Sequence, residues 1–361
     1  MRAAVIAALG SVACLSTAAQ AQSNVTFYGV LDMGMQSAST SGPRQTRLDS
    51  NLVAPSRFGF QGSEDLGSGL KATFRLEGGI NPDTGMSTAG TLFGREANVG
   101  LQGDFGQVQV GLNYTPMFFA YVTYALGELN TFGWGSATNN FVYFTTVKAG
   151  NSIRYTSPQL GGVTVRAIYS LGNEGAAGQP EKLGNTTGVG ANYKLGAFTM
   201  DVDYVRQNYA ATAALTPTTP VDTATYYLVG ALYDFGFVKT SALYQRHTGS
   251  ANVLTPNTAV FANPNNHYYE LSALFRAGGT GKLLFSFGQY KKQASSSGDA
   301  TSYALRYDYL LSRRTGLYTG IARMKNNSAA SFTVSNAAGP GVTTTPGVSV
   351  NSVALGMVTR F

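Results

Sequence analysis

Apolar and polar residues alternate in short segments along most of this chain. The last segment shows the pattern best, because Val353, Leu355, Met357 and Phe361 form one apolar row and most residues between them are small. Successive side chains of a β-strand point to opposite faces, so each such segment has one apolar face and one face that can contact water. Repeated along a secreted chain, the pattern predicts a membrane β-barrel with lipid outside and water inside.

Sixteen segments carry this pattern, and we interpret each as one strand of an all-β, antiparallel transmembrane barrel. They lie at residues 24–36, 53–62, 70–79, 94–103, 107–114, 151–158, 163–171, 186–195, 198–207, 224–234, 237–247, 266–277, 281–292, 300–311, 314–325 and 351–361. Short connections that contain Gly and Asp alternate with long ones that are rich in Thr, Ser, Asn, Ala and Pro. This layout is typical of outer-membrane barrels, whereas a β-sandwich has no reason to keep its long loops at one end. Sixteen strands leave a water-filled lumen, which predicts a channel.

The first 21 residues have the features of a secretory signal peptide. Arg2 precedes the small and apolar residues 3–18, and residues 19–21 (Ala-Gln-Ala) fit the cleavage rule, so we expect the mature chain to start at Gln22. The apolar run is too short for a transmembrane helix, and lipid attachment at Cys14 would require a very short signal. Cys14 is the only cysteine, so the predicted mature chain has neither disulfides nor thiolate metal sites.

Composition agrees with a membrane barrel and argues against other classes. Charged residues make up only 12% of the chain, against about 25% in water-soluble proteins. Mean hydropathy is close to zero, and no apolar run after the signal is long enough for a helical span. The net charge of +7 falls to +6 (7 minus 1) without Arg2, but the basic residues are scattered, so we expect no nucleic-acid partner. We predict one barrel domain, residues 22–361, without cofactor or metal.

Six motifs resemble those of the general outer-membrane porins of β-proteobacteria. They are NVTFYGVLD at 24–32, SRFGFQGSEDLG at 56–67, LFGREANVGL at 92–101, IRYTSP at 153–158, LLSRRT at 310–315 and the terminal RF at 360–361. The resemblance implies a trimeric, sixteen-stranded diffusion porin of the Gram-negative outer membrane, surrounded by lipid and passing small hydrophilic solutes and inorganic ions. It also implies insertion by the barrel-assembly machinery, with Phe361 as the assembly signal.

The segment from Thr115 to Asn151 is too long for a hairpin turn and too apolar for a loop in water. Exposed segments of this composition invite aggregation, so we expect this one to fold into the lumen. The resemblance implies the same place for the family's third loop, which narrows the pore. Its candidate pore residues are Tyr121, Tyr124 and Glu128. An outer lid, or a vestibule contact with a neighbouring subunit, is the alternative.

Four arginines occupy inward-facing positions of the predicted strands. Phe58 and Phe60 face lipid, which turns Arg57 toward the lumen, and the same parity places three more arginines there: Arg75, Arg154 and Arg166. Each lies about four to seven residues from a short turn, so their heights differ by about 10 Å at most and they form a basic arc.

Arg95 does not follow this parity. It shares the face of Ala97, Val99 and Leu101, which would turn it toward lipid unless a β-bulge turns it inward. The resemblance nevertheless places an arginine of this motif at the pore, so Arg95 joins the predicted constriction.

Negative charge is scarce around this arc, because Glu128 is the only acid between Thr115 and Asn151. Several arginines that face one carboxylate in a narrow mouth predict a preference for anions. Each arginine could instead be paired with an inward-facing acid, and the candidates are Glu77, Asp32, Asp201 and Asp203.

Other functions have weaker support. A substrate-specific channel could use aromatic residues as a slide for sugars, and the candidates are Tyr114, Tyr121, Tyr124 and Trp134. Hydrolysis needs a nucleophile with a base, but His247 and His267, the only histidines, show no catalytic spacing. We therefore predict a passive channel and no enzyme, while an adhesin role of the long loops stays open.

Overall fold

The computed structural model describes residues 24–88, 90–127, 129, 133–141, 147–174, 177–210, 216, 218, 221–249, 252–254, 260–262, 265–337 and 342–361. The predicted signal peptide, residues 1–21, and the candidate pore residue Glu128 lie outside the described residues.

Strands dominate the described part of the chain. They are β1 (Asn24–Ser39), β2 (Gln45–Ser50), β3 (Arg57–Gly67), β4 (Leu70–Asn81), β5 (Met86–Ser87), β6 (Glu96–Gly103), β7 (Gly106–Tyr114), β8 (Lys148–Thr156), β9 (Val163–Ser170), β10 (Thr186–Leu195), β11 (Phe198–Ala210), β12 (Val221–Asp234), β13 (Val238–Gly249), β14 (Asn252–Leu254), β15 (Val260–Ala262), β16 (Asn266–Ala277), β17 (Gly281–Lys292), β18 (Ala300–Leu310), β19 (Thr315–Asn326) and β20 (Val350–Arg360). The helices are α1 (Pro116–Tyr124) and α2 (Ala137–Phe141), with a 3₁₀ helix at Ser296–Gly298. Among these described residues, no helix has the length and apolar composition needed to cross a membrane.

A single antiparallel sheet contains eighteen of the described strands. Two of them, β2 and β5, are short and pair only with the ends of β1 and β4. The other sixteen form a ring in which each strand has two neighbours, and the ring closes where β1 pairs with β20, from Val30↔Arg360 to Ser39↔Asn351. This closed ring confirms the predicted sixteen-stranded barrel.

Tight turns occupy one end of the barrel and long connections the other. Between β3 and β4, for example, Gly67, Ser68 and Gly69 adopt φ angles of 86°, 51° and 79°, which the absence of a Cβ makes easy at the two glycines. The long connections that follow β7 and β19 lie at the opposite end. For fifteen of the sixteen predicted strands, both the first and the last residue lie within three residues of the observed limits. The exception is β3.

The strand predicted from residue 53 is wrong at its start, because β3 begins only at Arg57. Residues 51–56 leave the sheet and turn toward the barrel interior, where Asp32 Oδ2 accepts hydrogen bonds from the backbone N–H groups of Val53 (2.6 Å) and Ala54 (2.8 Å). Leu52 and Val53 are fully buried. Apolar residues buried inside a barrel and apolar residues facing lipid look alike in the sequence pattern, which explains the error.

Side-chain exposure follows the predicted alternation. In β20, Val353, Leu355 and Met357 are about half exposed on the outer face, whereas Ser352 and Ala354 are buried on the inner face. The apolar row of the last segment is therefore the surface that faces lipid.

The terminal residue closes the seam between β1 and β20. The backbone of Phe361 exchanges two hydrogen bonds of 3.1 Å with Gly29, and its ring centroid lies 5.5 Å from that of Phe27. A Cβ at position 29 would lie 2.2 Å from the Phe361 ring, so any larger residue there requires the ring to move.

We expect Gly29→Val to displace the Phe361 ring and to weaken the seam, because overpacking of this kind costs about 1–3 kcal/mol. Urea unfolding of the reconstituted barrel, followed by circular dichroism, measures the loss. Gly42→Val is the matched control, since a Cβ at position 42 meets no atom within 4 Å. Equal unfolding midpoints for the two variants would contradict this account of the seam.

Candidate functional site

Helix α1 lies in the segment that was predicted to fold inward. It starts at Pro116, a residue favoured at the first helical position because it lacks an N–H that would stay unpaired there. One face is buried and follows the helical spacing i, i+3, i+4, i+7, with Met117, Ala120, Tyr121 and Tyr124. The opposite face carries the partly exposed residues Phe118, Phe119 and Val122.

The buried face of α1 packs against inward-facing residues of β11, β12 and β13. Tyr124 Oη donates to Asp201 Oδ2 at 2.5 Å, and Tyr121 Oη donates to Gln245. The Tyr124 ring covers Gly230, where a Cβ would lie 2.3 Å from a ring carbon. Burial raises the pKa of the Tyr124 hydroxyl and the hydrogen bond to Asp201 raises it further, so the phenol stays protonated and acts as the donor.

Residues 133–141 of the segment are held by the wall from β16 to β20. Glu270 on β16 accepts hydrogen bonds from the backbone N–H of Thr138 at 2.5 Å and from Ser136 Oγ at 3.0 Å. Arg306 Nη1 on β18 donates to the carbonyl of Trp134 at 2.7 Å, and the N–H of Trp134 donates to the carbonyl of Leu52. Glu270 and Arg306 are buried residues of the inner face, and Leu52 is buried in the 51–56 segment that turns inward.

Two carboxylates face each other on the opposite part of the wall, where Glu77 of β4 pairs in register with Glu96 of β6. Like charges directly opposite destabilise a sheet unless other groups compensate them. At Glu77 the compensation comes from two arginines, since Arg95 Nε lies 2.6 Å from Oε1 and Arg57 Nε lies 3.6 Å from Oε2. Tyr28 Oη donates a third contact to Glu77 at 2.8 Å.

Glu96 is bound by a second pair of arginines. Arg75 Nη1 lies 2.8 Å from Oε2, and Arg154 Nη1 lies 3.4 Å from Oε1. Two glutamines fix the remaining guanidinium nitrogens, since Arg75 Nη2 donates to Gln61 at 2.6 Å and Arg154 Nη2 donates to Gln109 at 2.5 Å. Each arginine is therefore held in one orientation by partners on neighbouring strands.

Arg166 connects this network to the inward segment. Its Nη1 lies 3.9 Å from Asp201 Oδ1, the carboxylate that also accepts from Tyr124. Its guanidinium carbon lies 4.6 Å from the ring centroid of Phe119, and that of Arg154 lies 5.3 Å from the same ring. Cation–π contacts of this kind attract each guanidinium to the face of the ring.

All five predicted arginines thus lie in one network, hereafter the arginine network: Arg57, Arg75, Arg95, Arg154 and Arg166. Arg95 needs no bulge, because it precedes β6 rather than lying in it, and strand parity does not apply to its side chain. The acid pairs considered from the sequence are present for Glu77 and Asp201, whereas Asp32 binds the 51–56 segment instead.

Two residues of the segment that were predicted to line the pore, Tyr121 and Tyr124, lie elsewhere. Tyr121 and Tyr124 are fully buried, so they anchor α1 to the wall and do not face the open lumen. Glu96 and Phe119 were not predicted from the sequence. Glu96 shares its inward parity with Asn98. Phe119 lies outside the buried face of α1, which the helical spacing of residues 117, 120, 121 and 124 marks.

A cavity of about 310 Å³ lies between part of the arginine network and the partly exposed face of α1, next to the contacts of Arg154 and Arg166 with Phe119. Its lining residues are Pro55, Arg57, Arg75, Glu77, Arg95, Glu96, Tyr114, Phe118, Phe119, Val122 and Arg154. Guanidinium groups form one side and aromatic rings the other. In the part of the chain that the structure describes, no group of three or more histidine, cysteine or carboxylate side chains could hold a metal ion.

We expect Gly230→Val to push Tyr124 and α1 toward the arginine network, because the added side chain occupies the space of the tyrosine ring. The passage narrows, so single-channel conductance in a planar bilayer should fall, by roughly half or more if a single water layer is lost. Ala231→Val is the control, since its side chain points to the outer face of the same strand. A conductance unchanged in both variants would show that α1 does not limit the passage.

Comparisons with known proteins agree with this architecture. The model of the Gram-negative porin family matches residues 3–329. Outer membrane porin protein 32 of Delftia acidovorans is 29% identical over 329 residues, covering 89% of this chain and 90% of that protein. An outer membrane porin protein of Bordetella pertussis is 28% identical over 377 residues, covering 90% and 95%.

A solved structure, an anion-selective porin from Comamonas acidovorans, superposes on 94% of this chain and on 100% of its own, with a TM-score of 0.77 and 27% identity. Together with the closed sixteen-stranded barrel, the family match over residues 3–329 shows that this chain belongs to the Gram-negative porins.

Proposed function

We propose that this barrel is a general diffusion pore that favours anions. Membership of the porin family makes the chain a passive channel of the Gram-negative outer membrane rather than an enzyme, so the open question is which solutes pass. One observation carries the proposal. In all five ion pairs of the arginine network the guanidinium is more exposed than its carboxylate, at 8–41% against 2–7% of the side chain. A passing ion therefore meets positive charge first.

The balance of charge supports the same sign. Five arginines pair with three carboxylates, Glu77, Glu96 and Asp201, which leaves an excess of two positive charges (5 minus 3). Asp203, buried on the same strand as Asp201, forms no ion pair among the described residues and does not enter this count. One unit charge at about 7 Å changes the energy of an ion by about 0.6 kcal/mol in water, and a narrow mouth with low-dielectric walls raises this several-fold.

The inward segment sets the width of the passage in this proposal. Because α1 is anchored to β11, β12 and β13, its partly exposed face is opposite the arginine network across the 310 Å³ cavity. The segment therefore acts as the constriction loop, and ions pass through this cavity beside the guanidinium groups of Arg57, Arg75 and Arg95. The anion-selective porin of Comamonas acidovorans, which shares the fold at 27% identity, supports the proposed sign of selectivity.

A substrate-specific sugar channel has less support. The residues considered for an aromatic slide, Tyr121, Tyr124 and Trp134, are fully buried and Tyr114 is nearly so, which leaves them little surface for a solute. His247, one of the two histidines weighed for catalysis, is also buried and stacks on Tyr226 with ring centroids 4.4 Å apart. The exposed groups that remain are the arginine side chains of the network, which suit general diffusion with selection by charge.

We expect the ion selectivity to shift in opposite directions when a carboxylate and when arginines of the network are removed. Glu77→Gln leaves Arg57 and Arg95 without their carboxylate and should raise the chloride-to-potassium permeability ratio, by roughly threefold per charge. Arg57→Ser combined with Arg75→Ser should lower the ratio by a similar factor per charge. Reversal potentials under a KCl gradient in a planar bilayer measure both changes.

Arg323→Ser is the matched control for these variants, because it removes the same charge from the outer face of the barrel. Its reversal potential should equal that of the unmodified protein. Cation preference of the unmodified protein would refute the proposed selectivity while leaving the channel itself intact.

The proposal also covers export and assembly. Residues 1–21 act as a cleaved signal, Phe361 helps the barrel-assembly machinery to insert the chain, and three copies form a trimer.

The trimer is supported by a hollow of about 540 Å³ on the outer face of β3, β4, β6 and β7, hereafter the outer hollow. Its lining includes Ala72, Phe74, Val99, Leu101 and Val110. Such a recess on a lipid-facing surface offers a place for side chains of a neighbouring copy.

We expect Val99→Lys to separate the subunits, because it introduces a charge into the outer hollow. Val189→Lys on the outer face of β10 introduces the same charge outside the hollow and should leave the trimer intact. Light scattering in detergent gives the mass of each particle. Trimers in both variants would exclude this face as the interface.

A further inference from the structure

Arg166 is the least constrained of the five arginines in the arginine network. Its guanidinium makes no hydrogen bond among the described residues, and its Nη1 lies 3.9 Å from Asp201 Oδ1. A charge-assisted hydrogen bond between these groups would be about 2.7–2.9 Å long, so the two charges stand apart. Each of the other four arginines donates at least one hydrogen bond of 2.8 Å or less.

The neighbouring strands do not hold the Arg166 side chain. Arg166 of β9 pairs in register with Gly190 of β10 and with Thr156 of β8. Glycine has no side-chain acceptor, and no hydrogen bond joins the Thr156 hydroxyl to the guanidinium among the described residues. The position of this guanidinium therefore depends on a group outside the sheet.

That group is the ring of Phe119. Its centroid lies 4.6 Å from the Arg166 guanidinium carbon, within the distance of about 6 Å at which a ring face attracts a cation. Phe119 lies on the partly exposed face of α1, and the opposite face is anchored to the wall through Tyr121 and Tyr124. The inward segment thus fixes the ring, and the ring in turn fixes the arginine.

The same ring contacts Arg154, but that arginine does not depend on it. The guanidinium carbon of Arg154 lies 5.3 Å from the ring centroid of Phe119. Two other partners hold it, since its Nη2 donates to Gln109 at 2.5 Å and its Nη1 lies 3.4 Å from Glu96 Oε1. An effect of Phe119 on charge should therefore act through Arg166.

Phe118 offers a comparison on the same helix face, because it makes no cation–π contact among the described residues. Its ring stacks on that of Tyr114 with centroids 3.7 Å apart, and it lies edge-on to Phe119 at 5.9 Å. Tyr114 lies 5.9 Å from the guanidinium carbon of Arg95, which Glu77 already holds at 2.6 Å. Removal of the Phe118 ring therefore leaves every guanidinium with a bound partner.

We propose that Phe119 is a positioning residue for ion selectivity, because its ring holds the Arg166 guanidinium apart from Asp201. The inference rests on the charge selection proposed above and names the group that controls one of the charges. Without the ring, the guanidinium closes on the carboxylate, and a hydrogen-bonded pair offers an anion less positive charge than a separated one. An uncharged side chain of the inward segment thereby sets the effective charge of the wall.

Reversal potentials under a KCl gradient test the proposal in four full-length proteins: the unmodified protein, Phe119→Leu, Arg166→Gln and the double variant. Phe119→Leu removes the ring face and should lower the chloride-to-potassium permeability ratio by roughly threefold, about as much as loss of one charge. Arg166→Gln should lower it by a similar factor. The double variant should show no further fall, because both changes act on the same charge.

An unchanged ratio in either single variant would overturn the proposal, and so would effects that multiply in the double variant. Phe119→Tyr keeps the ring and should keep the ratio of the unmodified protein. Phe118→Leu should shift the ratio less than half as far as Phe119→Leu, and an equal shift would show that the helix face acts only through its width. If Phe119→Leu forms no channels, Phe119→Met, which also lacks a ring, replaces it.

A crystal structure of Phe119→Leu gives the position of the guanidinium directly. Arg166 should lie within hydrogen-bond distance of Asp201, and a separation that stays at 3.9 Å would contradict the proposed mechanism. The same recordings separate this inference from the proposed function. Cation preference of the unmodified protein would refute anion selection, while the coupling between Phe119 and Arg166 would still appear as a shift of both single variants toward potassium.

Discussion

Every polar backbone group within the hydrocarbon of a membrane must find its hydrogen-bond partner in the protein itself, and the rest of this structure depends on that constraint. A sheet meets it only by closing, so β1 pairs with β20 and no edge remains exposed to lipid. Gly29 and Phe361 sit at this closing seam, where the smallest and one of the largest side chains fit against each other. Because closure turns one face of every strand inward, the same constraint that seals the outside also creates a polar interior.

That interior is only partly open, since the protein fills one side of it with its own chain. The inward segment brings backbone N–H groups and tyrosine hydroxyls into the barrel, and buried groups of the wall receive them: Asp201 binds Tyr124, Glu270 binds Thr138 and Arg306 binds Trp134. The 51–56 segment is held similarly by Asp32. Carboxylates therefore have two roles here. Some anchor the loop, and others, Glu77 and Glu96, compensate arginines whose side chains are more exposed than the carboxylates.

Charge is arranged separately on the two faces of the wall. On the inner face, the arginines of β3 to β9 are paired with carboxylates that are less exposed than they are. On the outer face, several basic side chains of β11 to β19 are exposed, among them Arg246 and Arg323. Alternation of side chains along each strand permits this separation, because neighbouring residues on one strand serve environments on opposite sides of the wall.

The sequence by itself determined the strands, their number, the inward parity of Arg57, Arg75, Arg154 and Arg166, and the apolar segment that had to be buried. Those features are local, since alternation, turn residues and composition can be read within about ten residues. The sequence could not decide where Arg95 points, that residues 51–56 leave the sheet, or that Tyr121 and Tyr124 anchor the loop instead of lining the pore. Each of these depends on partners remote in the chain, such as Glu77, Asp32 and Asp201. Only the closed tertiary structure brings those partners together, because the strands that carry them become neighbours, or face each other across the lumen, only when the ring forms.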